Sequence, residues 1–224
     1  MKVFYLPEAI KAIAFDMDLT LYTNDEYGRY QIDILVEKLG QLKGFSFEEM
    51  NSQVTEKRKA WALSHGGKGA SLSNILEGYG IGMEEIIRWR EELYEPALFI
   101  KEDEKLKAAL EKLSNRFILG VVTNNPVLVA RKTLAVLGVE ACFPYIIGLD
   151  TCMMPKPHKM PYGKFSELTG CPPETCVSVG DRYDIDLDIP LSMGMGGILV
   201  NGVEDVYCLP ELLINKGANY GERS

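Results

Sequence analysis

Beyond Pro96 the chain alternates short apolar runs with amphipathic stretches of about ten residues, and few folds accept that rhythm. Residues 117–122, 145–148, 176–179 and 197–200 read as strands. Residues 102–115, 126–137, 161–169 and 184–193 read as the helices between them. Leu106, Leu110 and Leu113 share one face of the first helix. Pro126 opens the next helix and Gly138 ends it, while Gly170 ends the third. Strand and helix in alternation imply right-handed βαβ units around a parallel sheet. A further apolar run over residues 9–15 stops at a cluster of acids and supplies another buried strand.

The segment 23–95 interrupts that rhythm with helix alone. Ile32, Leu35, Val36 and Leu39 fall on one helical face, with Gly40 expected to close the helix. Ser46 and Glu49 have the spacing of a capping box, which predicts a helix to about residue 63. Residues 71–79 and 83–94 are two more helical stretches, and Trp61 and Trp89 are expected to fill the core of this segment. The expected architecture is α/β: residues 1–22 and 96–224 form the sheet core, and 23–95 form an inserted all-helical subdomain.

Composition narrows the partners. Lys and Arg number 24 against 32 Asp and Glu, a net charge of −8. Such a chain repels phosphate backbones, so nucleic acid is not an expected partner. An anionic substrate would need a metal or a few placed cations to overcome that field. No apolar stretch approaches the roughly 20 residues of a spanning helix, so no membrane is expected. Pro7 and Glu8 cut the first apolar run too short for a signal peptide. Cys142, Cys152, Cys171, Cys176 and Cys208 are an odd count without a CxxC pair, which fits reduced thiols and a cytoplasmic protein.

Ligands in an open α/β sheet bind at the carboxyl ends of the strands. Those ends carry Asp16 and Asp18, then Thr123 and Asn124, then Lys156 between Pro155 and Pro157, then Asp181 with Asp186 beyond it. Converging carboxylates repel one another unless a cation neutralises them. Hard oxygen ligands suit Mg²⁺. A lysine and a hydroxyl on the same rim can hold phosphate oxygens. An aspartate can attack phosphorus, and a second carboxyl can move protons.

These four motifs, in this order, resemble the haloacid dehalogenase-like hydrolases. The resemblance spans essentially the whole chain and implies a Rossmann-like core with a helical cap. It implies that Asp16 is the nucleophile and Asp18 the general acid and base. It implies Mg²⁺ held by Asp16, the backbone carbonyl of Asp18, and Asp181, with Asp186 supporting that shell. Thr123, Asn124 and Lys156 would bind the phosphoryl group. The family more often has glycine where this chain has Leu19.

Asp18 favours phosphate esters over halides, because only the ester's leaving group needs a proton. The expected function is Mg²⁺-dependent hydrolysis of a small phosphomonoester through an aspartyl-phosphate, by a monomer or homodimer. Lys156-Pro157-His158 is similar to the pyrimidine 5′-nucleotidase-like branch. A phosphomutase of the β-phosphoglucomutase type shares every catalytic residue, and a non-catalytic binding module on the same scaffold is the third reading. Among the remaining charges, Lys57-Arg58-Lys59 reads as a solvated helix face from which one side chain could reach the site. Asn125 is expected to cap the helix after Thr123, Asp184 and Asp188 to be helix-start acids, and His65 to Gly69 a cap turn.

Overall fold

A computed structural model describes residues 1–67 and 69–218. The strands are β1 (Lys2–Tyr5), β2 (Ala12–Phe15), β3 (Ile118–Val122), β4 (Tyr145–Ile147), β5 (Cys176–Gly180) and β6 (Gly196–Leu199). Among the described residues they form one sheet in the order β1-β6-β5-β2-β3-β4. Strands β2 to β6 run parallel, in register from Ala12 against Ile118 on one side and Cys176 on the other. The sheet is not purely parallel, because β1 pairs antiparallel with β6. All four β1 residues are exposed, so the strand carries no alternation of burial that the sequence could display.

The central strands are apolar throughout because helices cover both faces. On one face Ile13 and Phe15 pack with Leu106, Leu110 and Leu113 of α5 (Glu104–Ser114) and Leu134 of α6 (Val127–Val136). On the other, Ala12 and Ala14 meet Tyr162 and Phe165 of α8 (Lys159–Thr169), which follows the short α7 (Leu149–Cys152). The predicted helix at 184–193 is present, opening with a π-helical turn, Tyr183–Leu187, that runs directly into α9 (Asp188–Ser192). Beyond β6, α10 (Val203–Tyr207) and α11 (Leu209–Ala218) pack on α5, a part of the chain for which the pattern gave no elements.

Between β2 and α5 the chain is helical: α1 (Asp25–Lys43), α2 (Phe47–Ser64), α3 (Leu72–Glu77) and α4 (Met83–Leu93). These helices share a core that includes Leu35, Leu39, Met50, Leu76, Ile86 and Trp89. Helix α1 runs past Gly40 and ends at Gly44, whose φ is 76°. Gly40 is a close-approach residue, since a methyl there would stand 3.0 Å from the Phe45 carbonyl oxygen. The capping box opens α2 as read, with Ser46 Oγ accepting from Glu49 N at 3.2 Å and Glu49 Oε2 from Ser46 N at 2.9 Å. Trp89 is buried, but Trp61 is half-exposed and stacks on His65 with ring centroids 4.1 Å apart. Lys68, in the turn that follows, lies outside the described residues. No described helix is long and apolar enough to cross a membrane.

Candidate active site

Asp16 leaves the end of β2 with its N–H donating to the Val179 carbonyl at 2.8 Å, so the next-door strand fixes its backbone. Lys156 comes from the loop before α8, and its ammonium donates to Asp16 Oδ1 at 2.6 Å and to Asp186 Oδ1 at 2.7 Å. The lysine side chain is 1% exposed. A buried charge survives only if paired, and here two carboxylates share one ammonium. Against the cost of burial, Asp16 and Asp186 hold Lys156 above its ordinary range and so keep it charged. Asp16 itself is raised by burial, with Lys156 pulling the other way. Its Oδ2 has only a long contact, the Thr20 hydroxyl at 3.4 Å. Lys159, the next lysine along the chain, is exposed at the start of α8.

Asp18 faces the helical segment. Its Oδ1 accepts from the Tyr22 hydroxyl and from Gln31 Nε2 at 3.0 Å, and its Oδ2 accepts from Asn125 Nδ2 at 2.8 Å. Burial first and the Asp16 charge second push its carboxyl up. Leu19, between Asp18 and Thr20, has φ 59°, the left-handed conformation that glycine adopts without strain. That is the physical content of the glycine more usual there, and this chain holds the turn with a leucine.

Thr123 is buried at the end of β3, with its hydroxyl accepting from Asn125 N at 3.1 Å. One expectation changes here. Asn125 does not cap α6; Pro126 holds the cap position, and the Asn125 amide reaches Asp18 instead. The side chain of Asn124 clasps the Lys156 backbone, Oδ1 accepting from Lys156 N at 2.6 Å and Nδ2 donating to Lys156 O at 3.1 Å. It positions the lysine loop.

Asp16, Asp181 and Asp186 each offer a carboxylate oxygen within 4.8 Å of the others. Asp186 has both oxygens engaged, Oδ1 by Lys156 and Oδ2 by Arg182 N at 3.0 Å. Asp181 differs: its Oδ1 is buried and has no hydrogen-bond partner among the described residues. Burial pushes its carboxyl up to about 7, with Asp16 and Asp186 adding to the shift. A buried carboxylate oxygen with no hydrogen bond, only the Arg182 Nε 3.7 Å away, beside two more acids is a donor set that fits a hard divalent cation. Asp184 is not simply a helix-start acid, since its Oδ2 accepts from Gly69 N of the helical segment at 3.3 Å.

A family model described as haloacid dehalogenase-like hydrolase matches residues 10–194. The chain belongs to this family. Among curated proteins it is 29% identical over 181 residues to the phosphoglycolate phosphatase of Aquifex aeolicus, covering 80% of this chain and 79% of that one. Among solved structures, a HAD phosphatase from Thermococcus onnurineus superposes with a TM-score of 0.61 at 21% identity, covering 91% and 98% of the two chains. The β-phosphoglucomutase of Clostridium difficile superposes at 0.57 with 17% identity, covering 96% and 100%. At those identities the two structures speak for the fold.

In this hydrolase four further residues bear on the site, and the motifs did not reveal them. They are Tyr22, Gln31, Arg90 and Asn125. Gln31 is a buried amide on the α1 face that also carries Tyr27 and Leu35, and a polar residue on an apolar stripe was the available signal. Arg90 is buried on α4, donating to Ser73 Oγ at 3.1 Å and to the Asn124 carbonyl. It ties the cap to the loop that follows β3.

Proposed function

We propose that this protein is a Mg²⁺-dependent phosphatase that cleaves a small phosphomonoester through an aspartyl-phosphate on Asp16. The supporting observation is the buried Lys156 ammonium shared by Asp16 and Asp186. It opposes protonation of the nucleophile and sets positive charge where phosphoryl oxygens would come. Asp16 Oδ2, the less engaged oxygen, attacks phosphorus as the ester oxygen departs. Asp18 gives that oxygen its proton and then takes one from the water that cleaves the aspartyl-phosphate. Tyr22, Gln31 and Asn125 hold the Asp18 carboxyl in one place for both transfers. Asp16, Asp181 and the Asp18 carbonyl would hold Mg²⁺, with Asp186 behind them. Bound there, the ion supplies positive charge against the phosphoryl oxygens.

Phosphate release from a panel of phosphomonoesters, with Mg²⁺ and with chelator, tests the reading. Asp16→Asn is expected to stay folded and lose turnover, and an active Asn variant would sink the covalent mechanism. The acid named for the Aquifex relative, phosphoglycolate, belongs at the head of the panel, ahead of pyrimidine nucleotides. In the Lys156-Pro157-His158 run that resembles the nucleotidase branch, His158 caps α8, its Nδ1 accepting from Met160 N at 3.1 Å. Phosphorus NMR of the products separates free phosphate from an isomerised sugar phosphate and so decides between hydrolase and mutase.

A further inference from the structure

The indole of Trp61, expected in the core of the cap, is half-exposed and stacked on His65. His65 is held in turn, its Nδ1 donating to the Trp61 carbonyl at 2.9 Å. The pair forms a fixed aromatic wall, so a ligand that meets it orders little on binding. That wall bounds a cleft of about 470 Å³ between cap and core. The volume suits a small organic molecule. Met83 of the cap and Met153 and Met154 of the core add three thioethers, soft groups that adapt to an aromatic ring. Among the described residues of the lining, Glu77 is the one carboxylate, and no lysine or arginine is present. Indole, thioethers and a carboxylate fit a flat ring bearing an ammonium group. The net charge of −8 favours the same sign of ligand.

The cleft is separate from the reacting groups. Pro155 and Pro157 line it, whereas Lys156 between them does not. The Lys156 side chain is 1% exposed and ends on Asp16 and Asp186. One stretch of backbone thus offers its prolines to the cleft and its lysine to the nucleophile. Asp16, Asp18, Thr123 and Asp181 do not line the cleft either. Gly69 does, and its N–H donates to Asp184 Oδ2 at 3.3 Å, which joins the cap to the loop that carries Asp181.

We propose that this cleft is a second ligand site, distinct from the phosphoryl site, and that it takes an aromatic amine. The ring lies against Trp61 and the methionines, and the ammonium group faces Glu77. A ligand so placed touches the cap and the back of the lysine loop at once, which makes the cleft a regulatory position.

Tryptamine, indole and indole-3-acetate share one ring system and differ in charge. Calorimetric titration into the wild-type protein should give a single site, with affinity falling in that order. Trp61→Leu should weaken tryptamine about tenfold. Glu77→Gln should cut the advantage of tryptamine over indole by about two- to fivefold. Glu77 is exposed and Trp61 half-exposed, so both variants are expected to keep the wild-type thermal midpoint. No binding of tryptamine, equal binding of tryptamine and indole-3-acetate, or titrations that neither substitution changes would overturn the proposal. An excess of inorganic phosphate with Mg²⁺ should leave the tryptamine affinity unchanged, a result that needs no turnover. Loss of tryptamine binding under phosphate would merge the cleft with the phosphoryl site and refute a second site, whatever the activity of the enzyme. On whichever phosphomonoester is hydrolysed, saturating tryptamine should leave KM unchanged. A raised KM at constant kcat would put the cleft on the path of the substrate and would equally refute it.

Discussion

At the scale of single residues the site depends on one missing methyl group. A Cβ on Gly180 would stand 2.7 Å from Asp186 Cγ and closer still to its Cβ. Alanine there must push Asp186 away from the Lys156 ammonium, which it now meets at 2.7 Å. Overpacking of this kind costs about 1–3 kcal/mol. A shift of about 1 Å in a positioning group can cost roughly a hundredfold in rate. Gly180→Ala is thus expected to lower the thermal midpoint modestly and kcat severely; full activity would show that Asp186 does not position Lys156. Asp16, Lys156, Asp181 and Asp186 could be picked from the sequence because each follows a legible strand. Tyr22, Gln31 and Asn125 could not, because their meeting at Asp18 depends on how the cap docks and no local pattern records that.

At the scale of elements, α4 and the loop after β3 act as one unit through Arg90. Its guanidinium satisfies the Asn124 carbonyl and Ser73, and its Nη1 lies 3.4 Å from Asn125 Oδ1. Arg90→Met keeps the bulk and removes the donors. The acceptors left behind are buried, so the loss should be about 2–3 kcal/mol of stability. It should also free Asn125 and loosen Asp18, lowering kcat more than raising KM. Wild-type unfolding and kinetics for this variant would mean that the cap is held by its apolar contacts alone. The helices of the cap were legible because their apolar faces and the Ser46 capping box are local signals. Gly40 misled because a glycine demanded by close packing looks the same in sequence as one that ends a helix. Strand β1 escaped because an edge strand exposed at every residue has no buried face to betray it.

Over the whole molecule, acids outnumber bases, and three acids crowd one buried point. The folded chain therefore resists full ionisation there. Unfolded, Asp181 titrates near its ordinary 3.8; folded, burial and then Asp16 and Asp186 push it up to about 7. Between those values the folded state holds a proton that the unfolded state has released. Stability contributed by this group is then greatest at the acid end and falls as pH rises through the window. A divalent cation reverses the trend, because it binds the deprotonated acids and displaces the proton. In chelator, the contribution of this cluster should lower the thermal midpoint between about pH 5 and about pH 8, and Asp181→Asn should flatten that slope. Added Mg²⁺ should raise the midpoint more at about pH 8 than at about pH 5, where protons compete for the same oxygens. The same increment at both pH values, or none in either, would mean that the three carboxylates do not form the cation site, and the phosphatase reading would lose its source of charge.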